Sequence, residues 1–324
     1  MKYRKHIESI IRKVVPYFDP TKRRLHMCER TKPFSSKMFD EFVRSIKQED
    51  FINYGDPHEL KLRLAKKHGV EVENIYIGAG SSYILDSIFR VFVEKDSCVV
   101  MPEAHFPLYD VFVEQNQAVT ELLPYFNKDG KLTMSTNVRS QDPRLIIIGN
   151  PNSPVGDVIS LDSIKHLTSY GAPLVIDQAY GEFGKTEVPI EMIDKNVIFV
   201  NTFSKGLGAA GIRVGYSVAS KEITDLLDKF RQMFEVTNIS SKFALFLLDH
   251  EKETREYAES IALERSKLRS KLDHVYFGNW VHIPFDKYQQ LNLPDWEVKT
   301  GTRMPLQEGE FVRVSIFEGL NDYL

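Results

Sequence analysis

The chain is poor in several features that would have named a function at once. It has two cysteines in 324 residues, Cys28 and Cys98, far apart and with no CxxC pair. That usage suits a reducing compartment and excludes a metal site built from cysteine. No apolar run approaches the roughly 18 residues that a membrane-crossing helix needs. Charge of one sign is also missing: 42 basic side chains face 45 acidic ones, a net of −3, which gives no global drive toward nucleic acid. Nine histidines show no HExxH spacing, and no G-x-S-x-G elbow is present, so neither a zinc hydrolase nor a serine hydrolase is indicated.

What is present is a large apolar fraction, 42%, enough for one big domain and a smaller one. Between about residues 56 and 220 amphipathic helices alternate with short apolar runs. HELKLRLAKKHG predicts a helix closed by Gly69, and SSYILDSIFRVFVEKD predicts another. CVVMP, RLIIIGNP, APLVIDQAY, NVIFVNTFSK and RVGYSVAS predict buried strands that run into polar or glycine-bearing loops. This alternation predicts an α/β fold: a three-layer, mainly parallel sheet flanked by helices, with a smaller α+β domain. The division expected is 46–235 for the large domain, with 1–45 and 236–324 forming the small one. The basic N-terminus, MKYRKHIESIIRKVVPYF, predicts an amphipathic helix with Ile7, Ile10, Ile11, Val14 and Val15 on one face, docked on its own protein and stopped by Pro16.

In such sheets ligands bind beyond the carboxyl ends of the strands, where Asn150, Asp177 and Lys205 all fall. Lys205 lies in NTFSKGLGAAGIRVGYSVAS. Its glycines follow the lysine instead of preceding it, so a nucleotide P-loop is excluded, and no acid stands where a dinucleotide loop needs one. Thr202, Ser204 and Arg213 supply hydroxyls and a guanidinium for a phosphate cup. An amine beside such a cup is what a phosphorylated aldehyde cofactor needs to form a Schiff base. Asp177, which ends the apolar strand in VIDQAYGEF, is either a capping aspartate or a carboxylate that keeps a pyridine nitrogen protonated. Tyr180, three residues on, places a phenol near that ring. GNPNSPVG, with two X-Pro pairs and a glycine, predicts a rigid turn at a strand end.

Six stretches occur together in order: GAGSS (78–82), EAHFPLY (103–109), NPNSPVG (150–156), DQAYGEF (177–183), TFSK (202–205) and IRVGY (212–216). In this set the chain resembles fold-type I pyridoxal phosphate enzymes of the class I and II aminotransferase family, nearest the histidinol-phosphate aminotransferase branch. The resemblance implies pyridoxal 5'-phosphate as cofactor, a small-molecule amino donor and a keto acceptor, a cytoplasmic homodimer, and no nucleic acid or membrane partner. It implies that Lys205 holds the cofactor aldehyde and later shuttles the α-proton, its pKa lowered by desolvated, cationic surroundings. Asp177 would pair with the ring nitrogen, Tyr180 with the 3-oxygen, and Phe106 would stack on the ring. Ser204, Arg213 and Thr202 would hold the phosphate, with the backbone at Gly80, Ser81 and Ser82, where a helix N-terminus adds a favourable field.

Tyr54 in NYGDP matches a tyrosine that reaches across a dimer to the neighbouring cofactor. Arg313 in FVRVSIF matches the arginine that grips the anionic end of the substrate, a task suited to a bidentate guanidinium. Two positions depart from the pattern. Ser153 stands where the family has the asparagine that touches the cofactor, leaving either Ser153 or Asn152 to serve. CERTKPF replaces an N-E-N-P element. A second substrate-binding cation falls to Arg303 or Lys299. The same branch includes decarboxylases of phosphorylated amino acids such as threonine phosphate, which share the cofactor site. The absence of a helix-turn-helix and the slightly negative charge disfavour a DNA-binding regulator built on this fold.

Overall fold

The structure is a computed structural model of the chain and describes residues 1–11, 19–273, 275–291 and 293–324. Twelve strands are defined among the described residues: β1 (Ile75–Gly78), β2 (Cys98–Pro102), β3 (Val119–Leu123), β4 (Tyr125–Lys128), β5 (Lys131–Met134), β6 (Pro143–Gly149), β7 (Leu174–Asp177), β8 (Val197–Thr202), β9 (Gly215–Val218), β10 (Trp280–Pro284), β11 (Lys299–Thr302) and β12 (Phe311–Ser315).

Seven of them form one sheet in the order β1-β9-β8-β7-β6-β2-β3. From β8 to β3 the pairings are parallel, and β9 alone runs against both of its neighbours. The unbroken apolar runs explain why this sheet is covered on both faces. In β6, Ile146 and Ile148 enter one core while Leu145 and Ile147 enter the other, and β7 and β8 divide in the same way. An alternation of period two with apolar residues at every position requires helices on both sides. The five strands anticipated from sequence all form, and the resulting layered α/β architecture is the one expected.

Helix punctuation follows local chemistry. Gly69 closes His58–His68 in the left-handed conformation, and the Val70 amide reaches back to the Ala65 carbonyl, the pattern of a Schellman end. Gly80, at φ +86°, opens the helix Ser81–Phe92.

A third core gathers the antiparallel sheet β10-β12-β11, the helix Glu251–Leu268 and the N-terminal residues Leu25 and Cys28. The Leu25 backbone bonds to Glu297 and to Ser315, stitching an early segment to a late one. The helices Ser36–Ser45 and Asn238–Asp249 instead pack under the large sheet, where Phe42 meets Phe243 edge to face. The predicted N-terminal amphipathic helix is corrected: Lys5–Ser9 is a five-residue 3-10 turn that buries no residue, and Ile7 and Ile11 are exposed. At about three residues per turn, a 3-10 helix does not build the stripe spaced for an α-helix. Val14, Val15 and Pro16 lie outside the described residues.

Candidate active site

The pairing of parallel strands sets the first half of the site. Gly149 stands opposite Asp177, and Asp177 opposite Val200, so β6 and β7 end at one level and β8 runs two residues further. The Asn150 amide donates to the Asp177 carbonyl at 2.7 Å and the Gln178 amide to that of Val200 at 2.8 Å, which carries the alignment into the loops.

Asp177 is buried. Its Oδ2 accepts from the Tyr109 hydroxyl at 2.8 Å and its Oδ1 from the Ala179 amide at 3.0 Å. Burial raises its pKa, and the Tyr109 bond, the Ala179 bond and the charge of Lys205 offset part of that rise. Tyr109 lies inside EAHFPLY, yet sequence reasoning gave it no task. The available signal was its place three residues after Phe106, at the start of the helix Leu108–Gln115.

An anion cup lies at the β8 end. The Thr202 hydroxyl donates to Ser204 Oγ at 3.0 Å, and Arg213 Nη1 donates to the same oxygen at 3.2 Å. A Cβ on Gly80 would stand 2.3 Å from Arg213 Nη2, and one on Gly215 would stand 2.4 Å from the Ser81 amide nitrogen. Two glycines thus let a helix N-terminus and a guanidinium close on one spot. Among the described residues no carboxylate pairs with Arg213, and the Ser81 and Ser82 hydroxyls make no hydrogen bond to the protein.

Lys205 Nζ donates to the Met27 carbonyl at 2.6 Å and sits 5.6 Å from the centre of the Tyr180 ring. Burial lowers its pKa, as do the charges of Arg313 and Arg213, while Cys28 and Glu29 act the other way. Tyr180 is itself buried, edge-on to Trp280 with centroids 4.5 Å apart. Burial and then the Cys28 thiol push its hydroxyl well above the ordinary range.

Arg313 comes from β12 in the other sheet. Its Nη2 donates to the His26 carbonyl at 3.2 Å and its Nη1 to Ser153 Oγ at 3.4 Å, while its Nε is buried without a partner. Burial disfavours its charge, but Cys28 and Tyr180 outweigh that and leave its pKa raised. Cys28, read from sequence only as a reduced thiol, therefore lies among Lys205, Tyr180 and Arg313. No local pattern pointed to that place.

Other predicted residues stand further out. Phe106 is 36% exposed and meets Tyr109 edge-on at 5.8 Å. Tyr54 is 78% exposed, stacked on Phe234 at 4.3 Å in a separate cleft of about 480 Å³ that also holds Lys61 and Arg231. Arg303 lines a cleft of about 410 Å³ with Glu103, His105 and Asp110, bordered by Pro154. Asn152 and Ser153 are buried; both Asn152 amide hydrogens are engaged, by the Ala104 carbonyl at 2.7 Å and the Tyr125 hydroxyl at 2.6 Å.

The geometry fits a phosphorylated pyridine aldehyde. It offers a glycine-cradled cup with an unpaired guanidinium, an amine of lowered pKa, and a buried carboxylate within electrostatic reach of that amine. The family described as aminotransferase class I and II matches residues 33–287, and the chain belongs to it. It is a fold-type I aminotransferase whose cofactor is pyridoxal 5'-phosphate. Among individual relatives, the histidinol-phosphate aminotransferase of Ruminiclostridium cellulolyticum is 30% identical over 83% of this chain and 79% of its own length. A solved histidinol-phosphate aminotransferase from Sinorhizobium meliloti, in complex with pyridoxal-5'-phosphate, superposes with a TM-score of 0.75 at 24% identity, covering 90% of this chain and 86% of that one. The L-threonine-O-3-phosphate decarboxylase of Porphyromonas gingivalis shares the fold, with a TM-score of 0.69 at 18% identity over 89% and 95% of the two chains.

Proposed function

We propose that this aminotransferase moves an amino group between an amino acid or phosphorylated amine and a keto acceptor, as the histidinol-phosphate enzymes it resembles do. The observation that carries this reading is the meeting of Lys205 and Asp177 with two arginines, Arg213 and Arg313, that no carboxylate neutralises among the described residues. Two unpaired guanidiniums call for two anionic groups, one on the cofactor and one on the substrate.

When bound, the cofactor supplies an electron sink for the bonding pair released at the substrate α-carbon. Arg213, Ser204, Thr202, Gly80, Ser81 and Ser82 would hold its phosphate. Asp177, anchored by Tyr109, would keep a positive charge on the ring nitrogen. Phe106 would cover the ring, and Tyr180 would donate to the 3-oxygen. Lys205, whose ammonium form is disfavoured by burial, would take the α-proton and return it. Arg313 would orient the substrate anion, and Arg303, which lines the neighbouring cleft, would meet its far end.

The hydrogen inventory supports Ser153 over Asn152 as donor to the cofactor. Asn152 has no amide hydrogen to spare, while the Ser153 oxygen accepts from Arg313 and keeps its own hydrogen. The exposed apolar surface of Phe51, Ile52, Tyr54, Met233 and Phe234 supports a homodimer in which Tyr54 is contributed across the interface. A cytoplasmic location accords with the free cysteines and with the lack of any described helix long and apolar enough to cross a membrane.

The test mixes purified protein with a panel of amino acids and phosphorylated amines and follows the bound cofactor's visible spectrum. Conversion to the amine form with release of keto product is expected for a subset of the panel. Carbon dioxide release without keto product would move the assignment to the decarboxylases. Lys205→Ala should lose both the visible band and turnover; retention of both would sink the assignment.

A further inference from the structure

The loop 150–156 carries Ser153 to Arg313, and behind it runs a buried chain of hydrogen bonds that the reaction does not call for. Asn152 Nδ2 donates to the Tyr125 hydroxyl at 2.6 Å, and that hydroxyl donates to Asp157 Oδ1 at 3.0 Å. The backbone closes the ring, since the Asn152 amide donates to the Asp157 carbonyl at 2.9 Å and the Gly156 amide to the Asn152 carbonyl at 2.6 Å. All three side chains are buried. Asn152 Oδ1 has no partner and lies over Gly149, where any Cβ would stand 3.1 Å from it. The amide therefore has one workable orientation, with both hydrogens spent on Ala104 and Tyr125.

Tyr125 comes from β4, whose hairpin with β5 sits outside the large sheet. A loop already tied to the second sheet, by Trp280 Nε1 to the Pro154 carbonyl at 2.8 Å and by the Phe277 amide to the Gly156 carbonyl, is thus fixed from a third side.

We propose that Tyr125 and Asp157 are positioning residues: acting through Asn152, they hold the loop 150–156 so that Ser153 meets Arg313. The proposal rests on the reading of Ser153 and Arg313 given above. A one-directional chain of donors needs an acceptor at its end, and the Asp157 carboxylate is that acceptor. The titratable groups facing it are Tyr125 and Tyr276, with Glu103 beyond Tyr125, and no described basic side chain forms an ion pair with it. Burial pushes the Asp157 carboxyl up to about 6, against the opposing Tyr125 bond. Once protonated, it competes with Asn152 to donate to the tyrosine oxygen, and the direction of the chain is lost.

The experiment compares wild type, Asp157→Asn, Tyr125→Phe and the double variant, each loaded with cofactor, by two readouts. Hydrogen-exchange protection of the 149–157 segment reports the loop without any turnover. Amino-transfer kcat/KM between pH 5.5 and 8 reports its consequence. Each single variant should lower kcat/KM roughly tenfold at pH 7.5, the scale of a slightly misplaced contact. The double variant should be no worse than the poorer single, because the residues act as one unit. Protection should fall in step, and the acid limb near pH 6 should vanish in Asp157→Asn. Additive losses, unchanged protection, or protection lost with kcat/KM intact would each overturn the proposal. Should Asp157→Asn fail to fold, Tyr125→Phe, which removes a single hydroxyl, decides by the same two readouts. A wild type with no amino transfer but with the expected protection pattern would refute the functional reading and leave the loop device standing.

Discussion

The two halves of the site are built differently. On the large sheet, Asp177, Thr202 and Ser204 are buried and bonded to neighbours that arrive on adjacent strand ends or the same turn. On the side facing the small sheet, Arg313 has a buried Nε without a partner, and Arg303 stands in an open cleft. A cofactor that stays bound suits a half whose geometry is preset. A substrate that comes and goes suits a half whose charges await a partner, because an arginine already satisfied would bind it weakly.

That contrast ranks the effects of substitution. Asp177→Asn, which strips a charge from the preset half, should cost about 10³-fold in kcat while the cofactor stays bound. Single-turnover kinetics would measure it, and a loss confined to KM would erase the distinction between the halves. Arg313→Lys should keep the charge but lose the fork, raising KM for anionic substrates roughly 10²-fold with kcat less affected. An equal effect on an uncharged amine would show that Arg313 does not read the anion.

Tyr109→Phe should cost about tenfold, since Asp177 loses one of two donors and its pKa, already raised by burial, rises further. The acid limb of kcat should move to higher pH, and an unmoved limb would argue that Tyr109 only fills space.

The smallest effect on turnover and a clear one on stability belong to Glu182→Gln. The Glu182 side chain packs behind Gly206, next to Lys205, and burial pushes its carboxyl from 4.5 to about 7. Above pH 4.5 the unfolded chain sheds this proton while the folded one keeps it, so stability falls as pH rises to about 7 and stays lowered beyond. Glutamine removes that cost, worth up to about 3 kcal/mol at pH 8. Urea midpoints at pH 5 and pH 8 would show the gain at the higher pH, and a variant weaker at both would contradict it.

Much of the preset half was legible before any fold was known. Residues 145–148 of β6, 174–176 of β7 and 197–200 of β8 are apolar without a break, which marks these strands as covered, and parallel neighbours place their carboxyl ends side by side. Asn150, Asp177 and the Thr202–Lys205 turn follow from that rule, and ordered motifs supplied the chemistry. The N-terminal stretch shows the limit of periodicity, since its apolar spacing suggested an α-helix and residues 5–9 form a 3-10 turn. Tyr109 was hidden for another reason: a buried tyrosine on a helix looks the same in sequence whether or not its hydroxyl finds an acid.

The residues fixed the architecture, the strand-end placement of Lys205 and Asp177, and the glycine positions around the cup, because each depends on local periodicity or on backbone freedom. Three features became visible when distant segments met. Cys28 lies among Lys205, Tyr180 and Arg313, Ser153 faces a guanidinium 160 residues away, and Tyr125 joins Asp157 to Asn152. Such contacts leave no repeating trace along the chain, since they arise from how two sheets and a hairpin close around one loop.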